Sequence, residues 1–115
     1  MGKFALFAFN GEAMCFMHVL LNALDMHGKG QNVKVVIEGA ATKLIPELSS
    51  DSSPLKSLFE EACIHDLVDG VCMACSNKMG TLEAAKAMGL KMLNEMSGHP
   101  SMGRYCREGF EIITF

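Results

Sequence analysis

Two cysteines three positions apart, Cys72 and Cys75, lie where an apolar, strand-like stretch changes into a helical one. In a parallel α/β sheet, ligand sites open at the carboxyl ends of the strands. A thiol in the first turn of a helix faces the positive end of the peptide dipoles, and Lys78 shares a helical face with Cys75. The sequence therefore predicts Cys75 as a nucleophilic sulfur and Lys78 as a group that stabilises its thiolate. The alternative is a structural cysteine beside a solvated lysine.

The second cysteine allows two further chemistries. A redox dithiol needs both cysteines in one turn at the start of a helix. The sequence predicts Cys72 within the strand, which makes the pair too extended for a ready disulfide, although a dithiol variant stays open. His99 is predicted to be a surface loop residue. No metal or other cofactor is expected, because the potential metal ligands have no familiar spacing: Cys72, Cys75, His99 and Cys106.

The elements that must position these groups alternate along the chain. Apolar and β-branched runs predict strands, and apolar residues at helical spacing predict helices. The alternation predicts an α/β fold, with a five-stranded, mainly parallel sheet and helices on both faces, in a single domain of residues 1–115. The strands fall in 3–9, 33–37, 67–74, 91–94 and 110–115, and the helices in 12–28, 40–48, 55–63, 76–88 and 101–107.

Composition narrows the possible partners and the compartment. The net charge is −3 without a basic stripe, so no nucleic-acid partner is expected. No apolar run approaches the ~20 residues that cross a bilayer, so no membrane is expected either. Half of the residues are apolar and ten are Met, which favours burial against further subunits. Five cysteines without a secretory signal indicate reduced thiols in the cytoplasm.

The carboxyl ends of the first three strands carry small and polar residues. Because parallel strands end at one edge of the sheet, these residues are candidates for lining a binding site. Glycines at such positions let the backbone approach a ligand, although the same glycines also permit tight turns from strand to helix. The candidates for substrate contact are Asn10, Gly11, Glu38, Gly39, Ser76 and Asn77.

These motifs resemble those of the DsrE/DsrF-like family of small sulfur-metabolism proteins. The resemblance covers nearly the whole chain, from the first strand ending in Asn10-Gly11, through the strand at 33–38 and the run at 74–79, to the tail at 104–112. It implies a compact α/β fold and homo-oligomers, commonly trimers or hexamers. In family members that carry the cysteine, it also implies a cytoplasmic sulfur relay in which that cysteine holds sulfur as a persulfide. Cys75 is the matching position, and Cys72 has no counterpart that the family pattern assigns.

The sequence-based hypothesis is a cytoplasmic homo-oligomer whose Cys75 accepts sulfane sulfur from a donor protein and passes it to an acceptor protein. Chemically this resembles thiol–disulfide exchange, because a thiolate attacks one sulfur atom and displaces another. Two alternatives remain at this point. One is a dithiol redox protein that uses Cys72 with Cys75, and the other is a non-catalytic oligomeric module that binds a small ligand at the strand ends.

Overall fold

Five strands form one sheet in the computed structural model, which describes residues 2–115. All neighbouring strands are parallel, and their order across the sheet is fourth, third, second, first, fifth. This arrangement confirms the predicted five-stranded α/β fold. The strands are β1 (Lys3–Ala8), β2 (Asn32–Ile37), β3 (Val68–Cys72), β4 (Met92–Leu93) and β5 (Glu111–Thr114).

Helical segments connect the strands. The longest helix has 16 residues, and no helix within residues 2–115 combines the length and apolarity that crossing a membrane requires. The predicted segment at 40–48 is a 3₁₀ helix rather than an α-helix. The segments are α1 (Ala13–Gly28), the 3₁₀ segment (Gly39–Ser49), α2 (Leu55–Ile64), α3 (Met73–Lys78), α4 (Leu82–Ala87) and α5 (Met102–Arg107).

The prediction of one helix over 76–88 is wrong, because the chain forms two short helices there. α3 starts directly after Cys72, and Gly80 with a φ of +74° interrupts the helical path before α4. The hydroxyl of Thr81 then donates a hydrogen bond of 2.8 Å to the carbonyl of Thr42. This contact ties the start of α4 to the 3₁₀ segment, which explains why the continuous apolar pattern does not give one straight helix.

Alternate residues of β1 face opposite sides of the sheet, and helices cover both sides, as predicted. Leu6 and Ala8 belong to the larger core, which α1, the 3₁₀ segment, α2 and α4 fill. Ala5 and Phe7 belong to a smaller core, which α5 covers through Tyr105. Because α5 has only six residues, the second side of the sheet is thinly covered.

Tyr105 anchors α5 to the second side of the sheet. Its buried ring meets the ring of Phe7 edge-on at 5.4 Å, and its hydroxyl donates to the carboxylate of Asp69. The register between β2 and β3 shifts here, so that Asp69 is the extra residue of a β-bulge. The guanidinium of Arg104 lies 4.2 Å from the Tyr105 ring and pairs with Glu95. These contacts hold the loop after β4 against α5.

Tyr105 is the single tyrosine of the chain, so tyrosinate absorbance reports this residue alone. Burial raises the pKa of Tyr105 well above its ordinary value of 10, and the hydrogen bond and negative charge of Asp69 raise it further. The unfolded chain ionises near pH ~10 whereas the folded chain keeps the proton. The stabilisation is therefore complete below pH ~10 and is lost as the pH rises further. We expect folded protein to form tyrosinate only well above pH ~10, and urea-unfolded protein to form it near that pH.

A Tyr105→Phe variant separates the hydroxyl from the ring. The variant keeps the packing against Phe7 but leaves the carboxylate of Asp69 without its phenol donor. Unfolding by urea at neutral pH should show a loss of about 1–3 kcal/mol, and the alkaline decline in stability should become shallower. An unchanged stability would mean that the hydrogen bond to Asp69 contributes nothing.

Candidate functional site

Cys72, Cys75 and His99 form a cluster at the carboxyl end of β3. The Sγ atom of Cys72 lies 3.1 Å from Nδ1 of His99, and the Sγ atom of Cys75 lies 3.8 Å from the same nitrogen. The three side-chain atoms are all within 4.8 Å of one another. Cys72 is buried, whereas Cys75 and His99 are half-buried. The edge of the sheet that the sequence marks as functional thus carries two thiols and an imidazole.

Both cysteines lie in the same turn. Cys72 is the last residue of β3 and the N-cap of α3, and its sulfur accepts the backbone N–H of Cys75 at 3.3 Å. Helix geometry puts Cα atoms three residues apart at about 5 Å, within the range that a disulfide spans. The prediction of a strand continuing to residue 74, with the cysteine pair too extended to close, is therefore wrong. The strand ends at Cys72 and the helix begins without a linker.

The two sulfurs have different environments. Burial first, and then the adjacent Cys75 side chain, together raise the pKa of the Cys72 thiol to about 12. The S–H group of Cys72 also lies 3.6 Å from the carbonyl oxygen of Gly98, which it faces as a donor. Cys72 therefore stays a thiol at neutral pH, and Cys75 is the sulfur that a reagent in solution can reach.

The predicted helix support for a Cys75 thiolate is smaller than the sequence suggests. α3 has six residues, so its summed peptide dipole is short. The N–H group of Cys75 is directed at the sulfur of Cys72, not at its own sulfur. Lys78 is exposed in the last turn of α3, one turn beyond Cys75. The imidazole of His99 is the polar group that contacts the Cys75 sulfur.

A tight turn positions His99. Met96 and His99 exchange two backbone hydrogen bonds of 2.9 Å, and the intervening Ser97 and Gly98 both have positive φ, +50° and +90°. This is the two-residue type I′ hairpin. The carbonyl of Gly98 accepts the N–H of Ala74 at 2.8 Å, which fixes the turn over the start of α3. The sequence predicts His99 in a surface loop but not its contact with the cysteines, and the imidazole is 38% exposed rather than free in solvent.

Glu38 also reaches this cluster. Strand pairing places Ile37 beside Val71, so the next residues, Glu38 and Cys72, emerge side by side. The Oε2 atom of Glu38 lies 3.8 Å from Nδ1 of His99, and its side chain is 12% exposed. Burial raises the pKa of the Glu38 carboxyl, and the charge of a protonated His99 partly opposes that effect. Of the residues predicted to line the site, Glu38 has a direct contact with the cluster.

The residues predicted at the end of the first strand have mainly local contacts. Asn10 is exposed, and its Oδ1 atom accepts the N–H of Glu12 at 2.8 Å. A Cβ on Gly11 would come within 2.9 Å of the carbonyl oxygen of Ala40, and Gly39 has a φ of +58°. These geometries fit the tight-turn role that the sequence left open for both glycines. They also keep the turns after β1 and β2 close to each other at this edge of the sheet.

Ser76 and Asn77 follow Cys75 but differ in exposure. Ser76 is fully buried, and its hydroxyl has no hydrogen-bond partner within the part of the chain that the structure describes. Asn77 is exposed and lines an open pocket of about 570 Å³ on the flank of α3. Asn77 thus remains accessible to a ligand, whereas Ser76 belongs to the interior. The other lining residues of this pocket are Met73, Ala74, Leu82, Asn94, Ser97 and Gly98.

The fold and the cluster define an all-parallel α/β protein with a Cys-x-x-Cys pair and a histidine at the carboxyl edge of its sheet. The chain is 39% identical over 97 residues to the uncharacterized protein MJ0733 of Methanocaldococcus jannaschii. The alignment covers 84% of this chain and 77% of that protein. The chain belongs to the family of that protein.

Two further proteins show shorter similarities to the chain. Two uncharacterized proteins of Archaeoglobus fulgidus are each 40% identical to the chain, over 40 and 37 residues. These alignments cover 35% and 32% of the chain, and 66% and 100% of the respective relatives. No protein-family model and no solved structure matches the chain.

Gly98→Ala tests whether the turn positions His99. A Cβ at Gly98 would come within 2.9 Å of the Cβ of Ala74, in addition to the strain of a positive φ. Gly80→Ala is the matched control, because Gly80 also has a positive φ but nothing lies within 4 Å of its Cβ position. Both variants should lose about 1–2 kcal/mol to backbone strain, and Gly98→Ala should lose at least ~1 kcal/mol more.

The two variants are compared by urea unfolding and by the rate of Cys75 alkylation, followed as the mass of its peptide. Only Gly98→Ala should change the alkylation rate, because only that variant moves the turn carrying His99 over α3. Equal behaviour of the two variants would show that the close approach of Gly98 to Ala74 does not hold the site together.

Proposed function

We propose that the protein is a sulfur carrier that resembles sulfurtransferases, with Cys75 holding sulfane sulfur as a persulfide between a donor and an acceptor. The observation that carries this proposal is the half-buried Cys75 at the edge of the sheet, whose sulfur lies 3.8 Å from the imidazole of His99. A cysteine paired with a histidine is a common arrangement for a nucleophilic thiol.

The transfer step conserves sulfur and electrons. His99 accepts the proton of the Cys75 thiol, and the resulting thiolate attacks the outer sulfur of a donor persulfide. The bond between the two donor sulfurs breaks, the donor leaves as a thiolate, and Cys75 carries the transferred sulfur. The protonated His99 returns its proton to the departing donor, and Glu38 stabilises the transient imidazolium at 3.8 Å. Delivery to an acceptor thiolate repeats the step in reverse.

The remaining predicted residues take supporting roles in this proposal. Asn77 and Lys78 are exposed on the helix that carries Cys75, and Asn10 is exposed at the end of β1. They are available for contacts with the donor or acceptor protein. Gly11 and Gly39 keep the neighbouring turns tight.

The proposal includes a cytoplasmic, homo-oligomeric protein of the DsrE/DsrF-like type. The resemblance of the motifs and the parallel five-stranded sheet support that type. Five free cysteines support a reducing compartment. Half-buried Phe9 and Ile112 beside the smaller core support an oligomer, because the single short helix α5 leaves them partly uncovered.

The persulfide test uses a variant in which the exposed Cys63 and Cys106 are both replaced by serine, to remove background labelling. Treatment with a low-molecular-weight persulfide should add one sulfur atom to the peptide that contains Cys75. Adding Cys75→Ser should abolish this mass increase, and adding His99→Ala should slow it on the order of 10²-fold. Labelling that persists without Cys75 would remove this residue from the mechanism.

A second candidate function is dithiol redox exchange, and the shared turn of Cys72 and Cys75 favours it. In this reaction the two thiols reduce a substrate disulfide to two thiols and themselves become a disulfide. Mild oxidation of the purified protein should then remove two hydrogen atoms, mapped to a bond between Cys72 and Cys75. Dithiothreitol should reverse the loss.

A single variant distinguishes the two candidates. Cys72→Ser keeps the nucleophile of the carrier mechanism, so persulfide should still form on Cys75 and should persist longer without a neighbouring thiol. The same variant cannot complete a dithiol cycle. Loss of persulfide formation in Cys72→Ser, together with ready disulfide formation in the parent protein, would favour the redox function.

A further inference from the structure

We infer that Cys72, Cys75 and His99 bind a divalent cation of the Zn²⁺ type. The sulfur-carrier function neither requires nor implies this cation, so the inference stands apart from it. The cluster that carries the inference joins the end of β3, the first turn of α3 and the turn after β4.

The spacing of the three side-chain atoms fits tetrahedral coordination. Zinc bonds of ~2.3 Å to sulfur and ~2.05 Å to nitrogen place two sulfurs about 3.8 Å apart, and a sulfur and a nitrogen about 3.6 Å apart. The two sulfur–nitrogen distances are 3.1 and 3.8 Å, and all three atoms lie within 4.8 Å of one another. Small side-chain rotations can bring the sulfur–nitrogen distances to the required value, because they differ from it by about 0.5 Å or less.

The donor set suits a borderline-soft cation. Two cysteines, which release their protons when the cation binds, and an imidazole are typical zinc ligands. Oxygen-seeking cations such as Mg²⁺ and Ca²⁺ prefer carboxylates and carbonyls. Two cysteines separated by two residues provide the ligand pair common in zinc sites. Here the pair occupies one turn, since the N–H of Cys75 donates to the sulfur of Cys72.

The backbone already holds the third ligand in place. His99 ends the two-residue turn, whose Gly98 carbonyl is fixed by the N–H of Ala74 at 2.8 Å. Arg104 pairs with Glu95 at the other side of the same loop. A cation therefore finds ligands that are positioned before it binds, and little ordering of the loop opposes binding.

Three protein ligands leave one coordination position open. Cys75 and His99 are half-buried, so this position faces solvent and can take a water molecule or an incoming thiolate. Glu38 lies 3.8 Å from the same histidine nitrogen, so its carboxylate is close enough to accept a hydrogen bond from such a water molecule. Because the cation would use the sulfur that carries persulfide, cation binding and sulfur loading should exclude each other.

The test is a titration of the reduced protein, residues 1–115, with Co²⁺, a spectroscopic substitute for Zn²⁺. One equivalent should give thiolate-to-cobalt charge-transfer absorption and the strong visible bands of a tetrahedral site, and Zn²⁺ should displace it. Cys72→Ser, Cys75→Ser and His99→Ala should each weaken binding at least ~10-fold. The double variant with Cys63→Ser and Cys106→Ser is the matched control and should bind as the parent protein does.

A second measurement needs no variant. Zn²⁺ should protect Cys75 from alkylation while Cys63 and Cys106 stay reactive, as read from peptide masses. Octahedral cobalt spectra without charge-transfer absorption, or binding that His99→Ala leaves unchanged, would overturn the inference. Persulfide labelling is measured separately in the presence of a chelator. Absence of labelling there would count against the sulfur-carrier proposal and leave cation binding standing. Normal labelling together with absence of cobalt binding would count against the cation site and leave the sulfur-carrier proposal standing.

Discussion

The parallel pairing of β2 with β3 is the constraint on which the site depends. It sets Ile37 beside Val71, so that Glu38 and Cys72 leave the sheet next to each other. The strand ends at Cys72 and passes into α3 without a linker, which brings Cys75 into the same turn. Two thiols and a carboxylate are thereby gathered at one edge by backbone hydrogen bonds, before any contact between the side chains themselves is considered.

The second side of the sheet completes the site. Tyr105 fixes α5 to the sheet through its ring and its hydrogen bond to Asp69, and Arg104 connects α5 to Glu95 in the loop after β4. That loop carries the turn that ends in His99. The position of the imidazole thus depends on a small core and a network of ion pairs, both on the thinly covered side. Changes in that network should affect the chemistry of the cysteines although they lie outside the cluster.

Two thiols and an imidazole within 4.8 Å of one another suit more than one kind of chemistry. As a nucleophile, Cys75 can carry sulfur with His99 handling the proton, and Cys72 can close a disulfide with it. As ligands, the same atoms suit a thiophilic cation. These uses exclude each other at Cys75, because a sulfur bound to a metal ion or to Cys72 is not free to attack a persulfide. The two cysteines differ in exposure, and burial keeps Cys72 as a thiol. Reagents in solution therefore react first at Cys75.

The amino-acid sequence alone determined the strand and helix alternation, the parallel α/β class and the position of Cys75 near the end of the third strand. These features are carried by neighbours along the chain, through the periodicity of apolar residues and the backbone freedom of glycine. Only the tertiary structure decided that β3 stops at Cys72, that Gly80 divides the predicted helix, and that His99 contacts a cysteine 24 residues away. Those outcomes depend on contacts between remote segments, such as Thr81 with Thr42 and Gly98 with Ala74, which local patterns do not record.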